Sequence, residues 1–135
     1  MSYAMAAALQ EAVFQHLSGD VAVTALVGGI YDAIPAGELP ALYVTLGPET
    51  ARDRSDKTGN GAEHDFIVSV IGSASGFLSA KQAAAAITDA LIGADLTLSR
   101  GQLTGLWFVR AVAKRETGDD ARRIDIRFRA RVEDN

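Results

Sequence analysis

The chain has 135 residues, of which 48% are hydrophobic and 22% are charged, and it contains no cysteine. This length and composition fit one compact domain over residues 1–135 and exclude a largely disordered chain. Without cysteine, neither a disulfide nor a thiolate metal site can form. The net charge of −4 argues against nucleic-acid binding as the main role, because phosphate recognition depends on lysine and arginine.

The N-terminal part of the sequence predicts two helices. Apolar residues recur at helical spacing from Tyr3 to Leu17, as in an amphipathic helix. After a break at Ser18-Gly19, Asp20 is a candidate N-cap for a short helix over residues 21–27, and residues 30–34 predict a short extended segment. We find neither the basic start of a signal peptide nor an apolar run long enough to cross a membrane, so we expect a soluble protein made in the cytoplasm.

Two strands with a long polar connection follow. Residues 41–46 and 65–71 are rich in β-branched and aromatic side chains, which is typical of strands. The polar residues 52–64 between them predict a hairpin arm that projects from the domain, with Gly59 and Gly61 supplying positive φ at its tip. The candidate assembly residues of this arm are Arg52, Asp53, Arg54, Asp56, Lys57, Glu63 and His64.

The second half predicts a helix and a strand pair. Residues 77–91 carry apolar side chains on one helical face, and Gly93 stands where a helix C-terminus favours glycine. Residues 102–114 and 121–132 predict two strands joined by a loop at 116–120. The last strand alternates between apolar and charged residues, so one face is core and the other is a candidate assembly face formed by Arg123, Asp125, Arg127, Arg129 and Arg131.

These elements predict an α+β fold: a largely antiparallel sheet of four or more strands, two main helices packed on one of its faces, and a long hairpin arm. The charge is unevenly distributed along the chain, because no lysine or arginine precedes Arg52. A subunit of this kind can stack an acidic surface against a basic surface in an assembly. The alternative is that the charges solvate two separate faces.

No pattern of residues marks an active site or a metal site. The two histidines, His16 and His64, lie in different elements without a second ligand at a metal-binding spacing. The segment that starts at Asp56 imitates a calcium loop, but Ile67 stands where the bidentate glutamate belongs. There is no Gly-x-Ser-x-Gly motif, and no carboxylate pair stands out. We therefore expect no enzyme activity, no metal and no cofactor.

Several stretches resemble one protein family. Residues 30–35 and 39–44 look like its "YD-x-P … P-Y-V" entry to the first long strand, and residues 52–64 look like its "RD-S-KTG-G-EH" hairpin arm. The helix that contains Lys81, the segment 96–106 and residues 127–132 match the second half. Over nearly its whole length, the chain thus resembles the tail-completion, or tail-terminator, proteins of siphophage-like particles and gene transfer agents.

This resemblance implies a structural subunit of a ring, hexameric in this family, that caps the tail tube and ends its polymerisation. It also implies a position at the head–tail junction, contact with the tail-tube protein and the head-side connector, and DNA that passes through the lumen without being read. No membrane is involved. Two alternatives stay open: a head-completion or connector subunit of the same particle, and a small ligand-binding or enzymatic α+β domain.

Overall fold

The computed structural model describes residues 3–57, 59–73, 77–116 and 121–134. Among these residues it contains three helices, of which two are main ones, and five strands. The helices are α1 (Ala6–Ser18), α2 (Val21–Leu26) and α3 (Leu78–Leu91), and the strands are β1 (Ile30–Tyr31), β2 (Leu42–Asp53), β3 (Gly61–Gly72), β4 (Gln102–Arg115) and β5 (Arg122–Glu133). The predicted α+β class is confirmed.

The strands form one sheet in the order β1-β2-β3-β5-β4. All neighbours pair antiparallel except β1, which runs parallel to β2 over two residue pairs. Strands β3 and β5, with 12 residues each, lie in the interior of the sheet and pair along their full lengths. The sheet therefore has a long outer strand, β4, at one edge, and the short β1 at the other.

The core lies between one face of the sheet and the two main helices. Leu9, Val13 and Leu17 of α1 and Ile87 and Leu91 of α3 are fully buried in it. The strands contribute alternate residues, because successive side chains of a strand point to opposite faces. At the centre, the ring of the fully buried Phe128 stacks on Phe66 at 5.5 Å between centroids.

Two predicted helix ends are confirmed. The Asp20 side chain caps α2 by accepting a hydrogen bond from the Val23 backbone N–H at 3.0 Å. Gly93 follows the C-terminus of α3 with φ of +78°, a conformation that side chains with a Cβ adopt at a cost. The sequence therefore predicted the bounds of α2 and the end of α3 to within about one residue.

The predicted hairpin is confirmed, but its strands are longer than expected. β2 continues to Asp53 and β3 begins at Gly61, so only residues 54–60 connect the paired strands. Gly61 has no positive φ, contrary to expectation; a Cβ there would lie 2.9 Å from the Arg54 carbonyl oxygen, so a close approach of two backbones requires the glycine. Of the other predicted loop, 116–120, residues 117–120 lie outside the described residues.

In the described part of the chain, no helix is both long and apolar enough to span a membrane.

Candidate assembly surface

The face of the sheet opposite the helices is charged, and we call it the charged face. On β5 the residues alternate between buried and partly exposed along the whole strand, as predicted. The partly exposed set contains every predicted residue of the candidate strand face: Arg123, Asp125, Arg127, Arg129 and Arg131. The register places Glu63, Asp65 and Ser69 of β3 on the same face, opposite Arg131, Arg129 and Asp125.

One ion pair on this face is well shielded from water. The Arg129 guanidinium donates from Nε and Nη2 to both carboxylate oxygens of Asp65, at 2.8 and 3.0 Å. The Asp65 side chain is only 9% exposed. The hydrogen bonds from Arg129 and its positive charge keep the pKa of Asp65 below its usual value, although burial opposes this shift. Two parallel bonds fix the guanidinium in one orientation.

Glu63 connects the hairpin arm to the β5 arginines. Its carboxylate lies 3.5 Å from Nε of both Arg52 and Arg54 and 3.4 Å from Nε of Arg129. Arg131 adds a hydrogen bond of 3.1 Å from Nη2 to the Arg54 carbonyl oxygen. The base of the arm and the strand face, which the sequence analysis treated as two candidate surfaces, therefore form one continuous surface.

A second polar cluster lies at the other end of β5. Arg123 donates from Nε to Asp125 at 2.8 Å and from Nη1 to Glu116 at 3.2 Å. Ser69 donates its hydroxyl to Asp125 at 2.7 Å, and Lys114 lies 3.7 Å from the same carboxylate. Burial raises the pKa of Asp125, but the hydrogen bonds from Ser69 and Arg123 outweigh burial, so the pKa is lowered.

Between the two clusters lie two arginines, Arg127 and Arg110, whose contacts differ from those of Arg123 and Arg129. Arg127 of β5 lies opposite Arg110 of β4 in the register. Neither side chain makes a hydrogen bond or an ion pair with the residues that the structure describes. Like charges in neighbouring positions repel each other, so an acidic group from another surface would be stabilised here.

The tip of the hairpin arm is held by its own polar groups. Asp53 accepts hydrogen bonds from the backbone N–H and the hydroxyl of Ser55, at 3.1 and 2.6 Å. Asp56 accepts from the Gly59 N–H at 2.9 Å, as in a tight turn. Asp53, Arg54, Asp56 and Lys57 are all exposed. The described residues of the tip thus carry accessible charges, and the Asp56 carboxylate accepts a hydrogen bond from the backbone.

His64 does not belong to the accessible arm. The prediction that the strand begins only after His64, at residue 65, is wrong: His64 lies within β3 on the helix-covered side and is fully buried. Its Nδ1 lies 3.1 Å from a carboxylate oxygen of Glu49, and the Tyr3 ring stacks on it at 6.1 Å. Extending the alternation of Phe66, Val68 and Val70 backwards by one step would have found this position.

The described residues do not form a metal centre. Within the described segments, no three side chains of the histidine, aspartate and glutamate types converge as metal ligands would. His16 is instead placed at the helix pair, with its Nε2 2.8 Å from the Ala90 carbonyl oxygen. The charged face, with its network of hydrogen bonds and ion pairs, is therefore the surface that we consider as the candidate functional site.

Comparison with known proteins identifies the family. The model of the family described as "Tail completion protein gp17" matches residues 11–133, which is most of the chain. The chain belongs to this family. A tail completion protein is a structural component of a virion, and the family is not one of enzymes.

A solved structure of a close relative supports the same assignment. This tail completion protein is 62% identical to a chain in a structure described as "Virion of native gene transfer agent (GTA) particle". The match covers 98% of this chain and 99% of that chain, with a TM-score of 0.93. A search of the curated proteins found no match. The resemblance that the sequence motifs indicated is therefore confirmed.

Proposed function

We propose that this protein is the subunit of a hexameric ring that caps the tail tube of a gene-transfer-agent-like particle at its head–tail junction. The ring ends tube polymerisation and joins the tail to the head-side connector, and DNA passes through its lumen. The observation that carries this proposal is the match over nearly the full length, at 62% identity, to a chain of a gene transfer agent virion.

The surface chemistry of the chain fits such an assembly. A closed ring needs two different patches on each subunit, one for each neighbour, whereas a twofold dimer needs only one. The sheet offers different surfaces at its two edges, since β4 is long and exposed and β1 is short. The hairpin tip and the part of the charged face away from β4 remain for contacts with a neighbouring subunit, the tail-tube protein or the connector.

The hairpin tip supports a specific part of the proposal. Residues 54–57 are exposed and lie beyond the ends of the two paired strands, and three of them, Arg54, Asp56 and Lys57, are charged. We expect this tip to contact a neighbouring subunit or an adjoining component of the particle. Replacing residues 55–60 by Asn-Gly joins Arg54 and Gly61 through a two-residue turn, which antiparallel strands accept readily. The monomer should fold, and ring or particle assembly should fail.

Circular dichroism and thermal unfolding check that the shortened chain folds, and light scattering with electron microscopy measures assembly. A folded variant that assembles as well as the wild-type chain would show that the tip has no assembly role. The place of the protein is tested separately by imaging its complex with purified tail tubes. Binding to the head-side connector without any binding to tubes would favour a head-completion subunit instead.

A further inference from the structure

The outer strand β4 is unusually open for its length. It pairs only with β5 among the described strands, so its second edge has no partner there. From Trp107 to Arg115 every residue is exposed. Four large apolar side chains are between about a third and a half exposed: Trp107 49%, Phe108 48%, Val109 38% and Val112 37%. Long apolar edge strands are a hazard for aggregation unless another surface covers them.

The chemistry of β4 favours an acidic partner with apolar contacts. Trp107 and Arg110 lie on the charged face, next to Arg129 and Arg127 of β5. Arg110 and Arg127 have no ionic partner in the described segments, whereas Arg123 and Arg129 are paired with aspartates. A surface that covers this strand would therefore need carboxylates beside apolar groups.

Such a surface exists at the opposite edge of the same sheet. A groove of about 560 Å³ lies between the N-terminal half of α1 and the β1–β2 edge. Its walls carry the carboxylates of Glu11, Asp32 and Glu49 beside the rings of Tyr3 and Phe14. Among the described residues, no lysine or arginine forms an ion pair with these three carboxylates; Glu49 contacts the His64 imidazole, and Asp32 accepts a hydrogen bond from Gln10.

We propose that β4 of one subunit docks into this α1 groove of the next subunit, with Arg110 facing the Glu11 carboxylate and Trp107 against the apolar wall. The occupant is a second copy of the chain because both halves of the contact lie on one molecule and at opposite edges of its sheet. That arrangement makes a head-to-tail contact, the type of contact that gives a ring when the rotation between subunits closes. The inference rests on the proposed ring and specifies the interface between its subunits.

Reversal of charge at both positions tests the contact. Arg110→Glu and Glu11→Arg should each weaken self-association by about tenfold or more, because each places like charges together. The double variant should recover most of the wild-type association. Lys81→Glu and Asp89→Arg are matched controls, since both side chains are exposed on α3. Light scattering over a concentration series, with and without purified tail tubes, measures assembly.

Trp107 gives a second measurement that needs no substitution. It is the single tryptophan of the chain, so its fluorescence reports on β4 alone. Docking should shift its emission to shorter wavelength and reduce quenching by acrylamide when the subunits assemble. A ring whose Trp107 stays as accessible as in the monomer, or single reversals that assemble normally, would overturn this interface and leave the proposed ring intact. A chain that forms no ring, alone or on tubes, would overturn both.

Discussion

At the scale of single residues, the polar side chains of the charged face stabilise the sheet before they contact any partner. Asp65 accepts two hydrogen bonds from Arg129 in a position that water barely reaches. Hydrogen bonds to charged groups contribute about 1.5–3 kcal/mol each when well formed, and exposure of Arg129 reduces this value. The Asp65–Arg129 pair thus stabilises the contact between β3 and β5.

Because of the ion pair between Asp65 and Arg129, we expect the stability of the fold to depend on pH. Because the pKa of Asp65 is lowered in the folded state, its contribution is complete above the ordinary aspartate value of about 3.9 and is lost as pH falls through the folded value. Asp65→Asn should therefore cost about 1–3 kcal/mol of unfolding free energy at pH 7, and the difference from wild type should shrink below about pH 4.

Urea unfolding at pH 7 and pH 3 measures this effect, with the exposed Asp89→Asn of α3 as the control that should change little at either pH. An equal cost of Asp65→Asn at both pH values would mean that the carboxylate charge is not what stabilises the sheet.

Alternation along β5 was enough to predict which residues share the charged face, since side-chain direction has a period of two. The partners of these residues were not predictable. Asp65 and Arg129 are 64 positions apart, and their contact depends on the register between β3 and β5. His64 was missed for a different reason: it was assigned to the polar connection, although the alternation within β3 extends to it.

At the scale of elements, local sequence signals predicted the ends of the helices more accurately than the ends of the strands. Gly93 was predicted to follow α3 and does so with a positive φ. The end of β2 and the start of β3 were predicted too far from the turn, so both strands were predicted too short. Polar residues that pair in a sheet look like loop residues in the sequence. The pairing of β3 with β5 keeps residues 61–64 in the sheet, and this pairing is a tertiary contact.

The turn after α3 yields a prediction with an internal control. A Cβ at Gly93 would meet no atom within 4 Å, so Gly93→Ala should be destabilising through its φ of +78° alone, by about 1–2 kcal/mol. Gly47 of β2 also has open space around it but no positive φ. Gly47→Ala should therefore leave the unfolding free energy nearly unchanged. Thermal and urea unfolding compare the two variants; similar losses in both would contradict this explanation.

At the scale of the whole molecule, the chain combines a net charge of −4 with several arginines that are paired to carboxylates, among them Arg100, Arg123 and Arg129. Paired arginines release few counterions on contact with DNA, so they contribute little to affinity. We expect a lumen that is neutral or acidic and that lets DNA slide. Filter binding or fluorescence anisotropy of the purified ring with duplex DNA, over a salt series, should show weak binding. Tight binding that falls steeply with salt would contradict this expectation.

The family and the fold could be anticipated from sequence motifs that cover nearly the whole chain, and the family match agrees with them. The proposed interface between subunits could not be anticipated, because β4 and the α1 groove are distant in sequence and acquire their positions only when the sheet is complete. The exposure of Trp107 was the observation that led to the proposed interface, and the sequence pattern of the strand does not predict this exposure.

The most direct test of the central claim is electron cryomicroscopy of particles from cells that produce this protein and from cells that lack it. We expect six copies of the chain in one ring between the tail tube and the head-side connector, with tubes of uncontrolled length and no attached heads when the protein is missing. Tubes of normal length joined to heads in its absence, or a position of the chain away from the tube end, would contradict the claim.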